Sequence, residues 1–108
     1  MSEMLEVYRF KLNAGVTQVD LETANQTVQQ FIQQQPGFLY RSLSFNKTTE
    51  EWLTILYWES EETAKQASTH FISSELTQTY MALIDGNTLT KEQSTVVFCQ
   101  SGNGCGGA

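Results

Sequence analysis

Basic side chains are scarce: six Lys and Arg stand against twelve Asp and Glu, a formal net charge of -6 over 108 residues. No positive field is available to hold a phosphate backbone, so nucleic acid is not expected as a partner. Long apolar runs are missing as well. None approaches the roughly 18–20 residues of a membrane span, so no membrane partner is expected. The opening MSEMLEV carries an acid and no basic flank, unlike a secretory signal. Histidine occurs once, at His70, with no partner His or spaced carboxylates, so no metal site is expected. Four of the seven glycines fall in the last seven residues, and both cysteines, Cys99 and Cys105, in the last ten. Their spacing fits neither a CxxC redox pair nor a zinc motif. A disulfide closing the tail and four thiols gathered by a dimer are the special readings; a buried Cys99 with a mobile Cys105 is the plain one. The expectation is one cytoplasmic domain over 1–98 and a flexible Gly/Cys-rich tail over 99–108.

What is present is periodic. Met4 to Leu12 alternates, with Leu5 and Val7 on one side and Tyr8, Phe10 and Leu12 on the other, which predicts a strand. Thr17 followed by Asp20 reads as a helix N-cap with an acidic N3. Leu21, Ala24, Val28 and Phe31 then recur at helical spacing until Pro36 and Gly37 end the segment. Phe38–Asn46 and Glu51–Glu59 read as two strands of a hairpin. In the second of these, Trp52, Leu56 and Trp58 point one way and Leu53, Ile55 and Tyr57 the other. Two helices can cover only one face of a small sheet, so the other is expected to meet a second subunit, making a homodimer. Ser60, Glu61 and Glu62 open a second helix with the stripe Ala64, Ala67 and Phe71. A further helical piece carries Leu76, Tyr80, Leu83 and Ile84 inward and stops at Asp85-Gly86-Asn87. Thr95–Cys99 is expected as the last strand. The order is βαββαβ, an α+β ferredoxin-like arrangement with an antiparallel sheet.

The run Gln35-Pro36-Gly37-Phe38, with Leu56-Tyr57-Trp58-Glu59-Ser60-Glu61-Glu62 after the hairpin, resembles the antibiotic-biosynthesis-monooxygenase-like domains. The similarity covers roughly residues 4 to 98. It implies a dimeric α+β barrel in which two ferredoxin-like sheets face each other. The family includes cofactor-independent oxygenases of polycyclic aromatics and haem-degrading enzymes. The haem-degrading members resemble one another in an Asn on the first strand, a Trp in the second helix and a later His. Here those positions fall at or near Tyr8–Phe10, Ala67 and Thr77, and all three depart from the pattern. Haem degradation is therefore not expected.

The implied activity is that of a small cofactor-independent monooxygenase acting on a phenolic or polycyclic aromatic compound, with no cofactor. The alternative is a non-catalytic dimer that binds a small aromatic ligand as carrier or sensor. His70 lies beside the Ala64/Ala67/Phe71 stripe and could edge a pocket as a general base; the plain alternative is a partly exposed helix residue. Arg41 is a charge in mid-strand, where it could stabilise a substrate oxyanion or pair with Glu6, Glu51 or a partner subunit. Arg9 poses the same choice. Trp58, Tyr57 and Tyr40 are the candidate aromatic wall for a flat ligand, core packing being the alternative.

Overall fold

A computed structural model describes residues 2–99. The chain runs β1 (Met4–Leu12), α1 (Gln18–Gln33), β2 (Phe38–Asn46), β3 (Glu51–Trp58), α2 (Glu61–Ser73), a single 3-10 turn (Glu75–Thr77), α3 (Gln78–Leu83) and β4 (Ile84–Thr95). The four strands form one antiparallel sheet in the order β2-β3-β1-β4. This is the ferredoxin-like α+β architecture that the βαββαβ pattern predicts.

Local chemistry sets each boundary. The Thr17 hydroxyl accepts from the Asp20 N–H, and the Asp20 carboxylate accepts from the Thr17 N–H, closing a capping box at the start of α1. Ser60 and Thr63 make the equivalent box at α2. Gly37 follows Pro36 with φ +80°, and a β-carbon there would stand 2.5 Å from Thr63 Oγ1. Glycine is therefore required twice over, by its backbone and by the close approach of α2. Its carbonyl accepts from the Glu59 N–H at 2.8 Å, tying the start of β2 to the end of β3.

The helices cover the face that carries Met4, Glu6 and Phe10 from β1 and Trp52, Thr54, Leu56 and Trp58 from β3, all buried. Leu21, Ala24, Val28 and Ile32 are the buried stripe of α1, with Phe31 half-buried beside it. Burying side chains such as Leu21, Val28 and Phe10 contributes roughly 1.5–3 kcal/mol each. The alternate residues Leu5, Val7, Leu53, Ile55 and Tyr57 lie on the opposite face and are half-buried.

Two expectations change. The final strand is Ile84–Thr95, not Thr95–Cys99: it pairs with β1 from Leu12↔Ile84 to Met4↔Thr95. Strand β4 is an edge strand, so most of its residues meet water and are polar, and its apolar signal is confined to Ile84 and Leu89. Val97 and Phe98, whose character suggested a buried strand, are exposed. In the third helical piece Tyr80 turns inward as expected, whereas Leu76, in the 3-10 turn, is exposed. Cys99, expected to be buried at the end of a strand, is half-buried and lies past the end of β4, while Cys105 lies outside the described residues.

Candidate active site

Between the helices and the sheet lies a cavity of about 370 Å³. Its walls are largely apolar, with Phe10 and Leu56 from the sheet, Val28 and Phe31 from α1, and Ala67 and Phe71 from α2. Phe31 and Phe71 meet edge to face, with ring centroids 6.0 Å apart. Volume and lining suit a small, flat organic molecule.

Strand register decides which polar groups enter this space. Phe38 is paired with Trp58, Tyr40 with Tyr57 and Arg41 with Leu56, so Leu39 is an extra residue, a β-bulge. Strict alternation from Phe38 would send Tyr40 inward and Arg41 outward. The bulge reverses that order and puts Arg41 on the helix-covered face. Arg41 Nη2 donates to the Tyr80 hydroxyl at 3.4 Å, and its guanidinium carbon stands 5.9 Å from the Tyr80 ring centroid. Among the described residues no carboxylate forms an ion pair with Arg41, and its buried Nε has no hydrogen-bond partner. Burial lowers the Arg41 pKa, and Tyr80 partly opposes the shift. Burial raises the Tyr80 hydroxyl, with the Arg41 charge and Thr54 pulling the other way.

The far side of the cavity is built from β1 and β4. Glu6 is a buried carboxylate that accepts from Trp58 Nε1 at 2.9 Å and from Gln93 Nε2 at 2.7 Å, with Lys91 Nζ at 3.5 Å. Lys91 also stands 5.5 Å from the Tyr8 ring centroid. Burial, and then Glu6, raise the Tyr8 hydroxyl, while Lys91 opposes them. Burial pulls the Lys91 ammonium down, but Tyr8 and Glu6 outweigh it and leave its pKa raised. Arg41 and Lys91 sit on opposite edge strands, three inter-strand spacings apart, roughly 14 Å. Among the described residues, the cavity thus has a cation without an ion-pair partner at one side and a neutralised Lys–Glu pair at the other.

The structure brings Arg41 and Trp58 to the cavity and leaves the other candidates elsewhere. Trp58 is 3% exposed, so it is core that shows one edge to the space. Tyr40 and Tyr57 pack edge to face on the opposite side of the sheet, ring centroids 5.9 Å apart. The bulge at Leu39 is the reason Tyr40 points there. His70 is exposed on the last turn of α2, its Nδ1 3.0 Å from Gln35 Oε1, and it does not line the cavity. Arg9 pairs with Glu92 at 3.1 Å. Tyr80, an inward-facing aromatic in the sequence, does line the cavity, whereas Glu6, Tyr8 and Lys91 went unnoticed as site residues. For Glu6 the signal was available, since it falls in phase with Met4, Tyr8 and Phe10 on β1. Among the described residues no three His, Cys, Asp or Glu side chains gather to hold a metal, and no helix is long and apolar enough to cross a membrane.

No protein-family model and no curated protein sequence matches this chain. Solved structures do match it. A monooxygenase from the gene ActVA-Orf6 of Streptomyces coelicolor, in complex with nanaomycin D, superposes with a TM-score of 0.71 at 22% identity, covering 93% of this chain and 92% of that one. SnoaB, a cofactor-independent oxygenase from Streptomyces nogalater, gives 0.65 at 18% identity, over 94% and 97% of the two chains. The heme-degrading protein Rv3592 of Mycobacterium tuberculosis gives 0.69, also at 18% identity, over 94% and 98%. At such identities the likeness is one of fold, and the chain has the fold of the antibiotic biosynthesis monooxygenase structures.

Proposed function

We propose that this chain is a cofactor-independent monooxygenase acting on a phenolic or polycyclic aromatic compound held between the helices and the sheet. Arg41 carries the reading: a guanidinium drawn out of water, without a carboxylate partner among the described residues, hydrogen-bonded to a phenol oxygen at the wall of an apolar space. An oxyanion of the substrate in that position gains a charge-assisted hydrogen bond in a site of low dielectric.

In this chemistry the substrate supplies the electrons. A ring methylene made acidic by a neighbouring carbonyl loses a proton, and Arg41 stabilises the resulting enolate. One electron passes to O2; superoxide and the substrate radical join at carbon, and protonation gives a hydroperoxide. Loss of water then leaves a carbonyl. One oxygen atom ends in the product and the other in water, so the four electrons taken up by O2 all come from the methylene carbon. His70, turned toward Gln35, is given no step, and the first proton leaves to water at the cavity mouth. The half-buried apolar face of Leu5, Val7, Leu53, Ile55 and Tyr57 supports a homodimer with that face at its interface.

Oxygen uptake with anthrone, which carries such a methylene, tests the enzyme. The expected result is a rate above the protein-free control that falls on the order of 100-fold in Arg41→Gln, as for loss of an oxyanion donor. A rate equal to the control overturns it. The second reading, a non-catalytic carrier or sensor, is favoured by the position of His70 and by the donors already engaging both Glu6 oxygens. Saturable quenching of tryptophan fluorescence by 1-naphthol, without oxygen uptake, selects that reading.

A further inference from the structure

The proposed reaction gives no task to Glu6, Tyr8 and Lys91, although all three line the cavity. Strand register sets them together. Tyr8 is the cross-strand partner of Lys91 and Glu6 that of Gln93, so both β4 residues turn toward the helices with them. The Lys91 ammonium stands 3.5 Å from Glu6 Oε2 and 5.5 Å from the Tyr8 ring centroid, and it hydrogen-bonds the Tyr8 hydroxyl. Ile72, Met81 and Leu89 line the same cavity yet are exposed, an apolar frame around its mouth, and Leu89 lies on the same strand as Lys91.

An ammonium carries three N–H donors and no acceptor. In Lys91 one of them meets Glu6 and another the Tyr8 hydroxyl, which leaves the third to spare. The Tyr8 oxygen is the acceptor in that bond, so its own O–H is also left to give. Glu6 supplies no acceptor to a ligand, because it is 2% exposed and both its oxygens already accept, from Trp58 and Gln93. The cluster therefore offers a ligand two donors and nothing else.

Resting on the reading of an aromatic substrate between the helices and the sheet, we infer that Lys91 and Tyr8 are specificity-determining residues. They hold a neutral carbonyl oxygen at the end of the substrate remote from the oxyanion that Arg41 binds. A carbonyl oxygen has two lone pairs and accepts both bonds. A hydroxyl would bring a further donor to a place without an acceptor. A carboxylate would bring a second negative charge beside Glu6, which already neutralises Lys91. Tyr8 and Glu6 keep Lys91 protonated, so it donates to the carbonyl and does not attack it as a free amine. Arg41 reaches inward to Tyr80, and Lys91 to Glu6 on the adjacent strand. The two sets of donors thus stand closer than the roughly 14 Å between their strands, a gap suited to fused rings with an oxygen at each end.

The test compares two probes of similar shape in the full-length chain by quenching of tryptophan fluorescence. 6-Acetyl-2-naphthol carries a phenol at one end and a ketone at the other; 6-ethyl-2-naphthol lacks the ketone. Wild type should bind the acetyl probe on the order of tenfold more tightly than the ethyl probe, the worth of a hydrogen bond from a charged donor. In Lys91→Met that ratio should fall to about one, with binding of the ethyl probe little changed. Tyr8→Phe should lower the ratio in the same direction, and it tests the site even where Lys91→Met disturbs folding through Glu6. Arg41→Gln should weaken both probes alike and preserve the ratio. Equal binding of the two probes by wild type, or a ratio that survives Lys91→Met or, where that variant does not fold, Tyr8→Phe, overturns the assignment. If neither probe binds saturably, the aromatic site itself fails; if both bind equally, only the carbonyl-holding end does.

Discussion

Trp58 donates its indole N–H to Glu6 across 2.9 Å, joining residues 52 positions apart beneath the helices. Neither group has water as an alternative, for both are almost wholly buried. A buried carboxylate is tolerated because Gln93 and Lys91 meet its other oxygen.

Replacing Trp58 by Phe keeps an aromatic ring but strips Glu6 Oε1 of its donor. A loss of about 1–3 kcal/mol is expected, read as a lower urea midpoint with an unchanged slope. A midpoint within error of wild type would show that the indole N–H contributes nothing.

Gly37 and Gly15 form a matched pair, with φ of +80° and +85°. Ala at Gly15 meets nothing within 4 Å, whereas Ala at Gly37 collides with Thr63. Gly15→Ala should therefore cost only the backbone term, roughly 1–2 kcal/mol, and Gly37→Ala distinctly more. Equal losses in thermal unfolding would remove the α2 contact from the account of why glycine follows Pro36.

Alkaline pH should weaken the fold through Tyr8, Tyr80 and Lys91, whose folded pKa values lie above their ordinary 10.0, 10.0 and 10.5. The folded chain binds these protons more tightly than the unfolded one. Their stabilising contribution is fully present below about pH 10 and is lost as pH rises through the folded values. Denaturant midpoints measured from pH 8 to 11.5 should fall, less steeply in Tyr8→Phe. A flat profile, or one unchanged by the substitution, would contradict this.

A lysine in place of Ile55 puts a charge at the centre of the half-buried open face and leaves the cavity on the other side untouched. Light scattering should show wild type at twice the chain mass and the variant at the chain mass. Wild type at the chain mass would remove the dimer.

Most of the fold was legible in the sequence because alternation and helical spacing report burial directly. Met4–Leu12 and Trp52–Trp58 have one face under the helices, so their apolar periodicity is strong. Strand β4 escaped notice because an edge strand with charged and hydroxylated residues carries no such pattern. The site was harder to read. Arg41 stood out as a cation in mid-strand, but its face depends on the bulge at Leu39, which shifts the phase by one residue and leaves no mark in composition. His70 drew attention through its chemical type, while position, not type, decides access to a cavity. Glu6 was passed over for the converse reason: a carboxylate between apolar neighbours reads as solvent-facing until its phase is counted.

The bulge at Leu39 decides on which side of the sheet a charge lies. Deleting Leu39 would restore strict alternation along β2 and carry the Arg41 guanidinium from the helix-covered face, where Tyr80 holds one of its amino nitrogens, to the open one. A single inserted residue on an edge strand thereby sets the sidedness of the mid-strand guanidinium of β2.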